Sequence, residues 1–147
     1  MARAEVDPLL PTPGESVEGF LRRHVLERAE VERFLDPAAP NWGVFDPELG
    51  YLLRDSVVRD GIDGTFTIAT YLPTGERRVV HHADRPCRLR AYGDSYTQCQ
   101  QVSDGETWEE YLAGHLGEPV RNFGVGGYGV WHSFRRMVRV EEARGEG

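Results

Sequence analysis

Ser95 closes the run Leu89-Arg90-Ala91-Tyr92-Gly93-Asp94-Ser95, and Gly124-Val125-Gly126-Gly127 closes the run that starts at Val120-Arg121-Asn122-Phe123. A serine hydroxyl at the end of one strand and backbone N–H groups in a glycine turn at the end of the next are two parts of an acyl-transfer site. Glycines in that turn let the backbone come close to a reacting group. Serine is a weak nucleophile until a base takes its proton. His115 and His132 are the histidines of this region, and His132 is the closer in sequence to the glycine turn. Asp94 adjoins Ser95, but neighbouring side chains on an extended chain face opposite ways. Its expected role is to shape the turn together with Gly93.

These residues need elements that bring them together. Both apolar-rich segments end in small residues, and Thr107 to Leu116 lies between them with helical spacing. That is the outline of a βαβ unit with two parallel strands. In open α/β sheets, ligands bind outside the carboxyl ends of the strands. Trp108, Tyr111, Leu112 and Leu116 form the expected apolar stripe of the connecting helix, capped by Asp104 or Thr107 and ended by Gly117. Residues 96 to 105 are expected to form a loop. Tyr128 to Ala143 reads as a second helix with Val130, Phe134, Met137, Val138 and Val140 inward.

Gly93-Asp94-Ser95, followed about thirty residues later by Asn122-Phe123-Gly124-Val125-Gly126-Gly127, resembles the first two sequence blocks of the SGNH/GDSL hydrolases. The resemblance covers roughly the last sixty residues. It implies an α/β fold, part of a flavodoxin-like three-layer sandwich represented by its first βαβα. It implies hydrolysis of a small acyl or acetyl ester, with Ser95 as nucleophile and Gly127 as oxyanion donor. Asn122, which opens the second block, and Gly126 would shape the site. No metal or organic cofactor is implied. The family's later elements, an asparagine block and an Asp-x-x-His pair, are not in this sequence. The expectation is therefore an amino-terminal portion of such a hydrolase, weak or inactive as this chain alone. It would self-associate or need a complementing carboxyl-terminal half. A different class is also open. Gly124, Gly126 and Gly129 satisfy a GxGxxG nucleotide-binding spacing between a strand and a helix. No acidic residue follows at the end of a next strand, since Glu141 and Glu142 still belong to the helix.

The rest of the chain divides into a lead-in with one amphipathic helix (1–40), a small β-rich subdomain (41–85) and the hydrolase-like part (86–147). Thr12-Pro13 or Ser16 starts the helix, Val17 to Leu35 carries its apolar positions, and Asp36-Pro37 ends it. Trp42 and Phe45 are read as core anchors. Tyr51 to Leu53 and Thr65 to Tyr71 are strand candidates, with Phe66 and Ile68 on one face. Turns are expected at Asp60-Gly61, Asp63-Gly64 and Pro73-Thr74-Gly75, and Arg77 to Val80 returns as a hairpin. His81-His82-Ala83-Asp84 is a polar loop.

The 147 residues carry a net charge of −7, and all 17 basic residues are arginine. A net acidic surface argues against nucleic-acid or membrane partners. The pairs Arg22-Arg23, Arg77-Arg78 and Arg135-Arg136 are read as solvated faces. Two cysteines, Cys87 and Cys99, do not form a disulfide framework. No leader and no apolar run long enough to span a bilayer is seen, so a cytoplasmic protein is expected.

Overall fold

The computed structural model describes residues 14–59 and 64–145. The expected lead-in, the Thr12-Pro13 helix start, and Asp60, Gly61 and Asp63 lie outside the described residues. The chain divides into two units, residues 1–39 and 40–147.

In the first unit the expected single helix is two helices, α1 (Val17–His24) and α2 (Arg28–Leu35). Ser16 caps α1, its hydroxyl accepting the Gly19 N–H at 3.0 Å. The break falls at the β-branched Val25, which is extended at φ −95° and ψ 125°. Glu27 then restarts the helix, its N–H donating to the Glu30 carboxylate three residues on at 2.8 Å. Such a reciprocal cap satisfies donors that a helix start leaves bare. No residue of either helix is buried.

The second unit opens with β1 (Gly43–Asp46) and β2 (Gly50–Leu53), an antiparallel pair with Phe45 opposite Tyr51. The Asp46 carboxylate turns the chain between them by accepting the Glu48 and Leu49 N–H groups. β3 (Ser56–Arg59) and β4 (Phe66–Ala69) form a second antiparallel pair. β5 (Leu89–Ala91) and β6 (Val120–Asn122) are parallel, with Leu89 opposite Val120 and Ala91 opposite Asn122. The one-turn helix α3 (Ser95–Gln98) and the longer α4 (Trp108–Leu116) connect them, and α5 (Val130–Arg144) follows β6. The protein is thus a mixed α/β chain. No helix among the described residues is long and apolar enough to cross a membrane.

The core cluster is Leu49, Leu52, Leu53, Val125 and Tyr128. It ties the first hairpin to the segment after β6, so the β-rich part and the βαβ part share one interior. Trp42 and Phe45 are not core anchors: they are 54% and 49% exposed. Leu49, Leu52 and Leu53 take that place, because Phe45 lies on the outward side of a strand whose side chains alternate. Phe66 and Ile68 do share a face, but it is the exposed one. Thr67 and Ala69 are buried instead. The loop after α3 fixes this choice. Thr67 donates its hydroxyl to Gln100 O, and Ile68 and Thr70 bond to Ser103 and Asp104.

Arg77 and Arg136 are not solvated: each is almost fully buried. The Arg77 backbone bridges Tyr71 on one side and Asn122 of β6 on the other. Its guanidinium donates to Asp104 Oδ1 (3.0 Å) and to the carbonyls of Gln98, Cys99 and Val102. One charged side chain thereby satisfies a loop that has no ladder of its own. Arg136 lies over the Phe123 ring at 5.5 Å and is the buried residue of α5. The expected inward residues Val130, Phe134 and Met137 remain exposed.

The inward side of α4 is also not its apolar stripe. Glu109, Glu110 and Ala113 are buried, whereas Trp108, Tyr111, Leu112 and Leu116 are exposed. Glu110 turns inward to accept the N–H groups of Val80 and His81 and to meet His81 Nδ1 at 2.7 Å. This also places the His81–His82 segment as a polar loop whose first histidine has a carboxylate partner. Among the described residues β5 pairs only with β6, leaving its other edge open. Both cysteines are free thiols.

Candidate active site

The parallel pairing continues past the ends of both strands. Phe123 N–H donates to Ala91 O at 2.8 Å and Val125 N–H to Gly93 O at 3.0 Å. Gly93 and Val125 therefore stand side by side. Ser95, two residues after Gly93, and the Gly126-Gly127 turn come out at the same edge.

Asp94 ends the strand as the cap of α3, its carboxylate accepting the Tyr96 N–H at 3.0 Å. The residues after Ser95 thus begin with a helical turn rather than a loop, and α3 is too short to carry much of a dipole. Ser95 is exposed. Neither its hydroxyl nor its N–H is hydrogen-bonded among the described residues. It opens on a cavity of about 480 Å³ lined by Tyr96, Cys99, Gln100, Gln101 and Val102. Burial raises the Cys99 thiol, so it stays protonated there.

Every glycine of the turn has a steric reason. A Cβ on Gly93 would stand 2.1 Å from Thr97 Oγ1. One on Gly124 would stand 2.3 Å from the Gln98 nitrogen and 2.4 Å from the Thr97 carbonyl carbon. One on Gly126 would stand 2.7 Å from Gln98 Oε1 and 3.8 Å from Ser95 Cβ. Helix α3 packs directly on the turn, and these absent side chains are what allow it. Gly127 has φ +81°, and a Cβ there would lie 2.7 Å from the Tyr51 hydroxyl. Tyr128 N–H donates to Val125 O at 3.1 Å. A four-residue turn with positive φ at its third position is a type II turn, which demands glycine there.

Side chains hold the turn from three directions. Asn122 is buried; its Oδ1 accepts the Gly124 N–H at 2.8 Å and its Nδ2 donates to Thr97 O at 2.6 Å. Asn122, expected to shape the site, joins the turn to α3. Gln98 Oε1 accepts the Gly126 N–H at 2.5 Å. The Tyr51 hydroxyl donates to Gly126 O at 2.6 Å. The Gly127 N–H donates no hydrogen bond to any described residue, and Gly127 is exposed.

Behind Asn122 lies Glu109, fully buried, with neither carboxyl oxygen hydrogen-bonded in good geometry among the described residues. Burial pushes its carboxyl up to about 7; its own backbone N–H, Thr107, Arg77 and Asn122 pull only partly the other way. Sequence reading missed Gln98, Tyr51 and Glu109. Tyr51 meets Gly126 across 75 residues, and no local pattern encodes a contact of that separation. The exposed, tilted ring of His132 lies 5.2 Å from the Tyr128 ring, and His115 is exposed on α4. Among the described residues no histidine is hydrogen-bonded to Ser95.

The arrangement offers an exposed hydroxyl, two free N–H groups and an adjoining cavity. No protein-family model matches the chain. No curated protein and no solved structure is significantly similar to it.

Proposed function

We propose that this chain carries the nucleophile and oxyanion side of an SGNH-type ester hydrolase, in the first βαβα of a flavodoxin-like sandwich. Ser95 Oγ attacks the carbonyl carbon of a small acyl or acetyl ester, giving its proton to a base. The carbonyl oxygen becomes an oxyanion held by the Gly127 and Ser95 N–H groups. Its collapse expels the alcohol as the C–O bond breaks, and water then releases the acyl group from Ser95. Oxyanion donors of this kind are typically worth about 2.7–4 kcal/mol each in the barrier.

One observation carries the reading. The parallel strands end in a free serine hydroxyl and, beside it, a glycine turn whose Gly127 N–H is unclaimed. The nucleotide-binding reading of Gly124 to Gly129 is weaker on the same ground. A phosphate cradle needs several free N–H groups, and those of Gly124, Val125, Gly126 and Tyr128 are already bonded within the protein. With no histidine on Ser95, the chain alone is expected to be weak or inactive. A second reading, a half-protein completed by another chain or segment, is favoured by the edge of β5 left unpaired among the described residues and by the apolar side chains exposed on α4 and α5.

Treatment of the folded protein with a fluorophosphonate, followed by intact mass, tests the chemistry. A single adduct that disappears in Ser95→Ala supports an activated serine. No adduct on folded wild-type protein overturns the assignment of Ser95 as an activated nucleophile in this chain.

A further inference from the structure

The turn that presents Gly127 is made of two adjacent glycines, and its sequence leaves one orientation open. Turns of types I and II differ by a flip of the middle peptide plane, here the Gly126–Gly127 peptide. Glycine at both central positions tolerates either flip. The peptide is trans, so its C=O and N–H point in opposite directions. Whatever grips the Gly126 carbonyl therefore decides where the Gly127 N–H points.

The grip comes from the first hairpin. Tyr51, on β2, donates its hydroxyl to Gly126 O at 2.6 Å. The Tyr51 backbone carbonyl accepts the hydroxyl of Tyr128, the residue that ends the turn. The Tyr51 ring stands edge-on to Trp42 at 5.0 Å and to Tyr128 at 5.4 Å. A half-buried ring so enclosed has few rotamers to lose. Burial raises its phenol, so it remains a donor at neutral and mildly alkaline pH. On the other side of the turn, Gln98 Oε1 holds the Gly126 N–H, fixing the preceding peptide.

We propose that Tyr51 is a positioning residue for the oxyanion site: its bond to Gly126 O locks the type II flip and turns the Gly127 N–H away from the hairpin, free for a ligand oxygen. This rests on the reading of Ser95 and Gly127 given above. It also gives the β1–β2 hairpin a task in the chemistry, although it lies outside the βαβ unit. Tyr51 touches no reacting atom and acts only through the peptide it holds.

The test compares wild type, Tyr51→Phe and Tyr111→Phe. Tyr51→Phe keeps the ring and its contacts and removes one oxygen. Tyr111→Phe makes the same chemical change at an exposed tyrosine of α4 that takes no part in the turn. Fluorophosphonate kinetics separate reagent binding from the bond-forming rate constant on Ser95. In Tyr51→Phe the rate constant is expected to fall about 10- to 100-fold, with reagent binding unchanged and Tyr111→Phe like wild type. Equal rate constants in wild type and Tyr51→Phe overturn the inference. The Gly127 amide resonance gives a readout that needs no reaction. It is expected to move in Tyr51→Phe and stay in place in Tyr111→Phe; an unmoved resonance in Tyr51→Phe overturns the inference. If wild type forms no adduct, the Ser95 reading fails, and the Gly127 resonance alone decides the role of Tyr51.

Discussion

Glu109→Gln should leave this protein unchanged below pH 4.5, make it progressively more stable than wild type up to about pH 7, and keep that advantage above it. Glu109 is on the first turn of α4 with none of its surface exposed, and its carboxyl oxygens lack hydrogen-bond partners among the described residues. Burial moves the carboxyl from 4.5 up to about 7 in the folded state. Below pH 4.5 both folded and unfolded chains hold the proton, and the group costs nothing. Between 4.5 and about 7 the unfolded chain ionises while the folded chain does not, so the folded state binds more protons and stability falls as pH rises. Each pH unit in that window costs about 1.4 kcal/mol. Across it the wild type therefore loses about 3 kcal/mol, and above it the loss is constant. Glutamine has nearly the same shape and no charge to bury. Urea midpoints for both proteins at pH 4.5, 6 and 8 check this. The midpoints should agree at pH 4.5 and separate progressively, with the variant ahead by about 1–3 kcal/mol at pH 8. Parallel curves, or a variant weaker by the same amount at every pH, would refute the reasoning, because the carboxyl would then be ionised or solvated in the folded protein.

Two further expectations concern packing and association. Gly124→Ala forces a Cβ to within 2.3 Å of the Gln98 backbone and should cost about 3 kcal/mol or more. Gly114→Ala, in α4 with open space around its Cβ, should gain up to about 1 kcal/mol; denaturant midpoints read both. The edge of β5 left unpaired among the described residues invites pairing with another chain, and Trp108 and Leu112 of α4 and Phe134 of α5 are exposed apolar side chains that such a partner would cover. Light scattering during size-exclusion chromatography should show concentration-dependent self-association of the chain; a stable monomer at all concentrations would count against a half-protein.

The sequence by itself determined the local devices, because their causes lie within a few residues. Thr107 before α4, Gly117 in the left-handed region after it, and the parallel pairing of the strands that run on into Gly93 and Gly124 all follow from short-range rules of capping, turns and connection length. So does the break that was missed at Val25, where the Glu27–Glu30 cap signal was present and the apolar spacing concealed it. Which face turns inward was decided only by the tertiary structure. Apolar spacing assigned the interior to Trp108, Leu112, Phe134 and Met137, yet Glu109, Glu110 and Arg136 occupy it. A buried polar group is set by partners far along the chain, and periodicity carries no information about them. Glu110 is held by His81 across 29 residues, and Arg77 by a loop more than 20 residues on. The same holds at the candidate site. Ser95 stands out by its place after a strand, and Gly127 through the resemblance of its block to that of a known family. The direction of the Gly127 N–H could not be read in either way, because a Gly-Gly turn has two flips of similar cost and a tyrosine from the first hairpin selects between them.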